Sequence, residues 1–191
     1  MPKAIVPIFS VILIFSIVLL NTAFAFENKS PAEQLESQRT EFLRIEKYAW
    51  NTSDEDFAKL LMQMGDYPLI PYLIERKILH GLTIQKVEQV RVFLDEYTDT
   101  PLERRVLRPW LLYLAKKNSK SLFLEFYKPI GDTKLMCHYL RYQLEDKVSK
   151  NELYPQISDL WNTSTSQPKD CDPLFKKWKA DGQLTEALIL Q

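Results

Sequence analysis

Beyond residue 30 the chain repeats one local pattern: a capping residue, a few turns of apolar residues at helical spacing, then a glycine or proline stop. Ser30 can cap a first helix, with Pro31 at its first position and Glu33 three residues on, the layout of a capping box. Leu35, Phe42, Ile45 and Ala49 share one face, and Glu36, Arg39, Glu46 and Lys47 the other, which predicts an amphipathic helix to about Trp50. Ser53 with Asp56 opens a second helix, striped by Phe57, Leu60, Leu61 and Met64 and stopped at Gly65. Leu69, Tyr72, Leu73, Arg76 and Leu79 mark a third, ending near Gly81, and Thr83 caps its partner. Thr100 and Glu103 read as another capping box, ahead of Val106, Trp110, Leu111 and Leu114. Pro109 lies inside that stripe and is expected to kink or split it. Further helices are expected over 119–126, 135–144, 151–161 and from Asp172 through Trp178, with a last one running to the chain end.

These units pair. The pairs begin near residues 31, 68, 101, 134 and 172, at steps of about 33–38 residues. The expected fold class is therefore all-α, a superhelical array of antiparallel helix pairs resembling an α-solenoid. The spacing lacks the tetratricopeptide consensus, so the architecture is read without that family. Only four glycines occur in 191 residues, which agrees with helices rather than a turn-rich β fold. Solenoids need a polar closing face, yet Leu184, Ala187, Leu188, Ile189 and Leu190 make the last segment apolar, so further repeats are expected beyond it.

The division expected is a leader over 1–25 and a helical array over 26–191. Lys3 is followed by an apolar run over 5–20, then Ala23 and Ala25 in a small-x-small arrangement, the layout of a secretory signal peptide cleaved before Phe26. An uncleaved anchor is the alternative, but the run is shorter than the roughly 20 residues that span a bilayer. No stable membrane insertion is expected after cleavage. Lys plus Arg and Asp plus Glu each total 25, and this balance argues against a nucleic-acid partner. Cys137 and Cys171 are the only cysteines. An even count in an exported chain argues for one disulfide, with two free buried thiols as the alternative.

Residues 66–73, Asp-Tyr-Pro-Leu-Ile-Pro-Tyr-Leu, open a resemblance to a known family. It continues through Thr100-Pro101, the Arg-rich helix over 102–114, residues 122–129 and Cys137-His138-Tyr139. It is strongest at Leu160-Trp161, Ser166-Gln167-Pro168, Cys171-Asp172, Leu174-Phe175, Trp178 and Gly182, and the helix from Gln38-Arg39 to Trp50 fits as well. Together these residues resemble the N-terminal helical superhelix of the periplasmic soluble lytic murein transglycosylases. That resemblance implies periplasmic location and work on peptidoglycan, where the family cleaves between N-acetylmuramic acid and N-acetylglucosamine to leave a 1,6-anhydro end. It also implies that Cys137 and Cys171 pair. The family's catalytic marks are a catalytic Glu followed by Ser, then a GLMQ-type segment and an AYNAG-type segment, a succession that does not occur in these 191 residues. Leu61-Met62-Gln63-Met64-Gly65 echoes the second without its leading glycine.

No other catalytic constellation is legible. Glycan cleavage needs a carboxylic acid of raised pKa in a cleft. Glu75, Glu88 and Glu103 stand among basic neighbours and read as exposed ion pairs along polar helix faces. His80 reads as a helix-end residue and His138 as a helix residue, and neither has the clustered partners a metal needs. Neither a cofactor nor a metal is expected, and the chain alone is expected to be inactive. Arg104, Arg105 and Arg108 form a basic patch that could meet peptidoglycan glycan strands or the C-terminal domains that the family carries. The abundant aromatics, including Trp50, Trp110, Trp161 and Trp178, read as core. A substrate-guiding scaffold is the first reading, and a free-standing periplasmic adaptor that binds another protein is the alternative.

Overall fold

The computed structural model describes residues 30–146 and 149–186. Among them are nine α-helices and no strand: α1 (Pro31–Ile45), α2 (Asp54–Met64), α3 (Ile70–Leu79), α4 (Val87–Glu96), α5 (Pro101–Lys116), α6 (Lys120–Phe126), α7 (Thr133–Glu145), α8 (Lys150–Trp161) and α9 (Asp172–Ala180). The leader expected over 1–25 and most of the apolar segment at the chain end lie outside the described residues.

Helix starts follow their caps. Ser30 closes a full capping box, its Oγ accepting from the Glu33 N–H while its own N–H donates to the Glu33 carboxylate at 2.8 Å. Ser53 accepts from the Asp56 N–H at 3.1 Å. The expected box at Thr100 does not form. The Thr100 hydroxyl turns back to donate to the Tyr97 carbonyl, and Glu103 takes the N–H of Asp99 instead, at 2.9 Å. Asp99 holds φ 59°, which turns its N–H toward that carboxylate. Thr83 makes no side-chain cap either, because a 3-10 turn over Ile84–Lys86 separates it from α4. The first helix stops at Ile45 rather than Trp50, and a second 3-10 turn over Ala49–Asn51 carries Trp50 round to face α3. Pro109 does not split α5, which runs unbroken for 16 residues. Pro109 has no N–H to donate to the Arg105 carbonyl, so the helix forgoes one i→i−4 bond there.

The packing order explains the array. The helix α1 packs on α2, the Ala49–Asn51 turn packs on both α2 and α3, and from α3 onward each helix packs on its chain neighbour, while α3 also packs on α5, α5 on α7, and α7 on α9. The helices α3, α5, α7 and α9 therefore form one stacked layer with α4, α6 and α8 filling between them, as in a solenoid of helix pairs. Three apolar clusters run along the stack. The first joins Phe42, Ile45, Ala49, Phe57, Met64, Tyr67 and Leu73. The second is centred on Val106, Leu107, Trp110, Leu111 and Leu114 of α5, and the third on Cys137, Leu140, Ile157, Cys171, Leu174 and Trp178.

Polar clasps tie alternate helices. Arg108 of α5 donates from Nε to Asp132 at 2.6 Å, and Asp132 is also the cap of α7, accepting from the Leu135 N–H at 3.2 Å. Burial works against ionisation of Asp132, but these two donors outweigh it and hold its carboxyl below the ordinary range. Asp181, beyond α9, receives Lys177 of α9 and both Lys150 and Tyr154 of α8, whose hydrogen bonds depress its carboxyl strongly.

Cys137 of α7 and Cys171, just before α9, are joined by a disulfide, with Cα atoms 4.9 Å apart and 34 residues between them in sequence. Both are fully buried. The bond spans the α7–α9 stack and leaves α8 within its loop. Cross-linking a loop of that size is worth about 3–4 kcal/mol through the unfolded chain. Reduction in urea should therefore lower the unfolding midpoint by a corresponding amount; a midpoint that ignores reductant would deny the bond a part in stability.

Candidate functional site

A cleft of about 640 Å³ opens over the outer face of α3, bounded by the end of α1, the Ala49–Asn51 turn and α5. Helical spacing explains why α3 serves two surfaces. Tyr72, Arg76, Leu79 and His80 fall on the cleft side, while Ile74, Lys77 and Ile78 fall on the opposite side, along an apolar groove shared with α2 and α4. Lys86 anchors the end of α3 by donating to the carbonyls of Lys77, Ile78 and His80, at 2.8, 3.0 and 2.5 Å. Gly81, at φ 61°, then reverses the chain. This fixes the helix end that carries His80 into the cleft.

Aromatic rings and guanidiniums line the opening. The Trp50 and His80 rings meet with centroids 4.2 Å apart. The Trp50 indole N–H donates to the Lys47 carbonyl at 2.9 Å, which sets the ring's orientation. The Arg76 guanidinium lies 5.7 Å from the Trp50 ring centre, and its Nη1 donates to the Glu46 carbonyl at 3.1 Å. Arg105 reaches across from α5 and lies 5.7 Å from the Tyr72 ring centre. Its Nε donates to both oxygens of Glu75, at 2.8 and 2.9 Å. The pair engages Nε alone and leaves the two terminal nitrogens of Arg105 out of it. Tyr72 is 45% exposed, unlike the core tryptophans Trp110 and Trp178.

The carboxylates differ from the sequence expectation. Glu75 is 6% exposed, the buried charged residue of the described core, and its partner lies 30 positions away on another helix. Glu103 likewise pairs with Lys128, between α5 and the loop after α6, rather than along its own helix. Burial opposes its ionisation, but Lys128 and the Asp99 N–H prevail and hold its carboxyl below the ordinary range. An acid so held is unsuited to protonating a leaving group. Glu88 does pair as expected, with Arg91 three residues on, and stands in solvent. Among the described residues no group of three or more His, Cys, Asp or Glu could hold a metal. The cleft presents hydrogen-bond donors, acceptors and ring faces.

The basic patch divides. Arg104 is exposed, Arg108 is committed to Asp132, and Arg105 is the member that faces the cleft. Cys137 and Cys171 lie in the third core cluster, away from it. Sequence reading missed Trp50, Tyr72, Glu75, Arg76 and His80 as a group. The available signal was Glu75 on the same face as Ile78 and Leu79, where a carboxylate is out of place unless paired.

His138 packs beside Phe123 and Tyr142 and faces Asp170 at 3.4 Å.

Several solved structures share this architecture. The helical array matches the complex of the 70-kDa soluble lytic transglycosylase with bulgecin A at a TM-score of 0.69 and 28% identity, over 81% of this chain and 25% of that one. It matches the 70-kDa soluble lytic transglycosylase of Escherichia coli at 0.70 and 27%, again over 81% and 25%. An inactive mutant of the lytic transglycosylase Slt from Pseudomonas aeruginosa matches at 0.66 and 31%, over 78% and 24%. No family model matches the chain. Among curated proteins, the soluble lytic murein transglycosylase of Salmonella typhimurium is 35% identical over 156 residues, and that of Escherichia coli K12 is 32% identical over 155. Each alignment takes in 80% of this chain, which spans about a quarter, 24%, of those relatives' length. The chain is homologous to the soluble lytic murein transglycosylases, and its described part has their helical superhelix fold.

Two outcomes follow from the site's electrostatics. Arg105→Met strands the buried Glu75 carboxylate and should cost about 1–3 kcal/mol in urea unfolding, toward the low end because the guanidinium itself stands in solvent. Adding Glu75→Gln should recover most of that loss; equal losses in single and double variants would mean that the pair is not coupled. For His138, burial pushes the imidazole below its ordinary value of 6.5, Asp170 pulls it back, and Arg141 adds to the lowering. The unfolded chain then binds a proton more readily than the folded one, so this contribution is intact above about 6.5 and fades as pH falls below it. The urea midpoint should drop between neutral and mildly acidic pH, well above the carboxylate range, and His138→Gln should flatten that drop.

Proposed function

We propose that this chain is an exported helical scaffold that guides peptidoglycan in a protein of the lytic murein transglycosylase type. The observation that carries the reading is the coincidence of sequence and fold: identity of 32–35% and TM-scores of 0.66–0.70 fall on the same helical array. Residues 1–25 act as a cleavable leader into the periplasm. The Cys137–Cys171 bond supports that location, because disulfides persist in oxidising compartments. Among the described residues no helix is long and apolar enough to cross a membrane. The array's partners are glycan strands and the domains that perform the cleavage, with no cofactor of its own. In the cleft the Glu75 carboxylate is held by Arg105, and outside it Glu103 is held by Lys128, pairings that suit binding rather than acid catalysis.

Purified sacculi provide the test. The full chain should co-sediment with them at low salt and release no anhydromuropeptides detectable by mass spectrometry. Failure to co-sediment would remove the guiding role, and anhydromuramoyl products would place a catalytic acid within these 191 residues.

A further inference from the structure

The cleft over α3 combines features that the scaffold role alone does not require. Trp50, Tyr72 and His80 present ring surface at an open site, although core packing would bury it. Two guanidiniums lie against those rings, so their rotamers are restricted before anything binds. Neither one spends its full set of donors. Arg105 engages Glu75 through Nε, and Arg76 engages one backbone carbonyl through Nη1. The Glu46 side chain adds an acceptor at the rim.

The charges in this cleft cancel. Arg105 and Glu75 neutralise one another, and the formal charge of Arg76 is balanced by that of Glu46. A polyanion or a strongly acidic peptide would find little net attraction there. A neutral ligand with dense hydroxyl and amide groups would find planar donors, a carboxylate acceptor and ring faces for its C–H surfaces. We infer that the cleft formed by Trp50, Tyr72, Arg76, His80 and Arg105 binds a neutral saccharide segment. Arg76 and Arg105 hydrogen-bond its hydroxyl or acetamido oxygens, and an aromatic ring lies along a sugar face. The inference rests on the proposed role at peptidoglycan and adds the place and the chemistry of one contact.

The Trp50 indole N–H is a natural reporter, because it lies in the cleft and is fixed to the Lys47 carbonyl. NMR titration of the full chain with chitotetraose, a neutral oligomer of N-acetylglucosamine, should shift that indole signal and leave the buried Trp110 and Trp178 signals in place. Arg76→Gln and Tyr72→Ala alter exposed side chains, and each should weaken the interaction tenfold or more while helical circular dichroism is unchanged. A peptidoglycan stem peptide without sugar should produce no such shift. No shift with chitotetraose, a shift indifferent to both substitutions, or an equal response to the peptide would overturn the inference. Sacculus co-sedimentation that survives both substitutions would also overturn this site as the main contact, yet would leave the scaffold role standing. Loss of co-sedimentation in the unmodified chain would remove the scaffold role itself.

Discussion

Burial of one long face of α5 is the constraint on which the array depends. Val106, Leu107, Trp110, Leu111 and Leu114 are all within 1% of complete burial, and α3, α4, α6 and α7 each pack on that helix. At roughly 1.5–3 kcal/mol for each large apolar side chain, this face supplies on the order of 10 kcal/mol before the entropy of ordering the chain is charged against it. Among the described residues α1 packs on α2, and α9 on α7 and α8, fewer helices than meet α5. The same helix presents Arg105 and Arg108 to its two stacked partners, at Glu75 of α3 and at Asp132, the cap of α7. Apolar burial thus sets the spacing of the odd helices, and charge pairs fix how far each can slide along the next.

What was legible in the sequence divides by distance along the chain. Ser30 with Glu33 and Ser53 with Asp56 act within one turn, so the structure repeats what the letters imply. The five pair starts were legible because each has a local mark, a proline in the first turn of α1, α3, α5 and α9 and the Asp132 cap at α7. Thr100 shows the limit: a residue of the right type at the right spacing lost its role because Asp99 took a left-handed backbone and offered its own N–H to Glu103. Trp50 shows another, because apolar spacing alone cannot tell a continuous helix from one that stops at Ile45 and resumes as a tight turn.

The cleft was not legible, and the reason is physical. Glu75 and Arg105 are 30 positions apart, and periodicity carries no information about which residues of different helices meet. Trp50 and Tyr72 have the same helical setting as a core aromatic, and only the stacking of α3 against the Ala49–Asn51 turn leaves them at an opening. A basic patch read from Arg104, Arg105 and Arg108 proved to be three different situations: one residue in solvent, one in the cleft and one holding a helix cap. The homology bears on this point as well, since it covers the array as a whole and leaves the roles of its individual side chains to the geometry.

The disulfide has a mechanical consequence. It links α7 directly to the start of α9, so tension applied along the chain passes through the Cys137–Cys171 bond and bypasses the intervening segment, α8 included. The 34-residue separation corresponds to about 110–120 Å of contour length at roughly 3.3–3.6 Å per residue. A pull on the ends cannot draw that length out while the bond is intact. The stretch from Cys137 to Cys171 therefore behaves as a short, stiff link in a load path, and extension would have to begin outside it, among the helices before α7 or in α9 beyond Cys171.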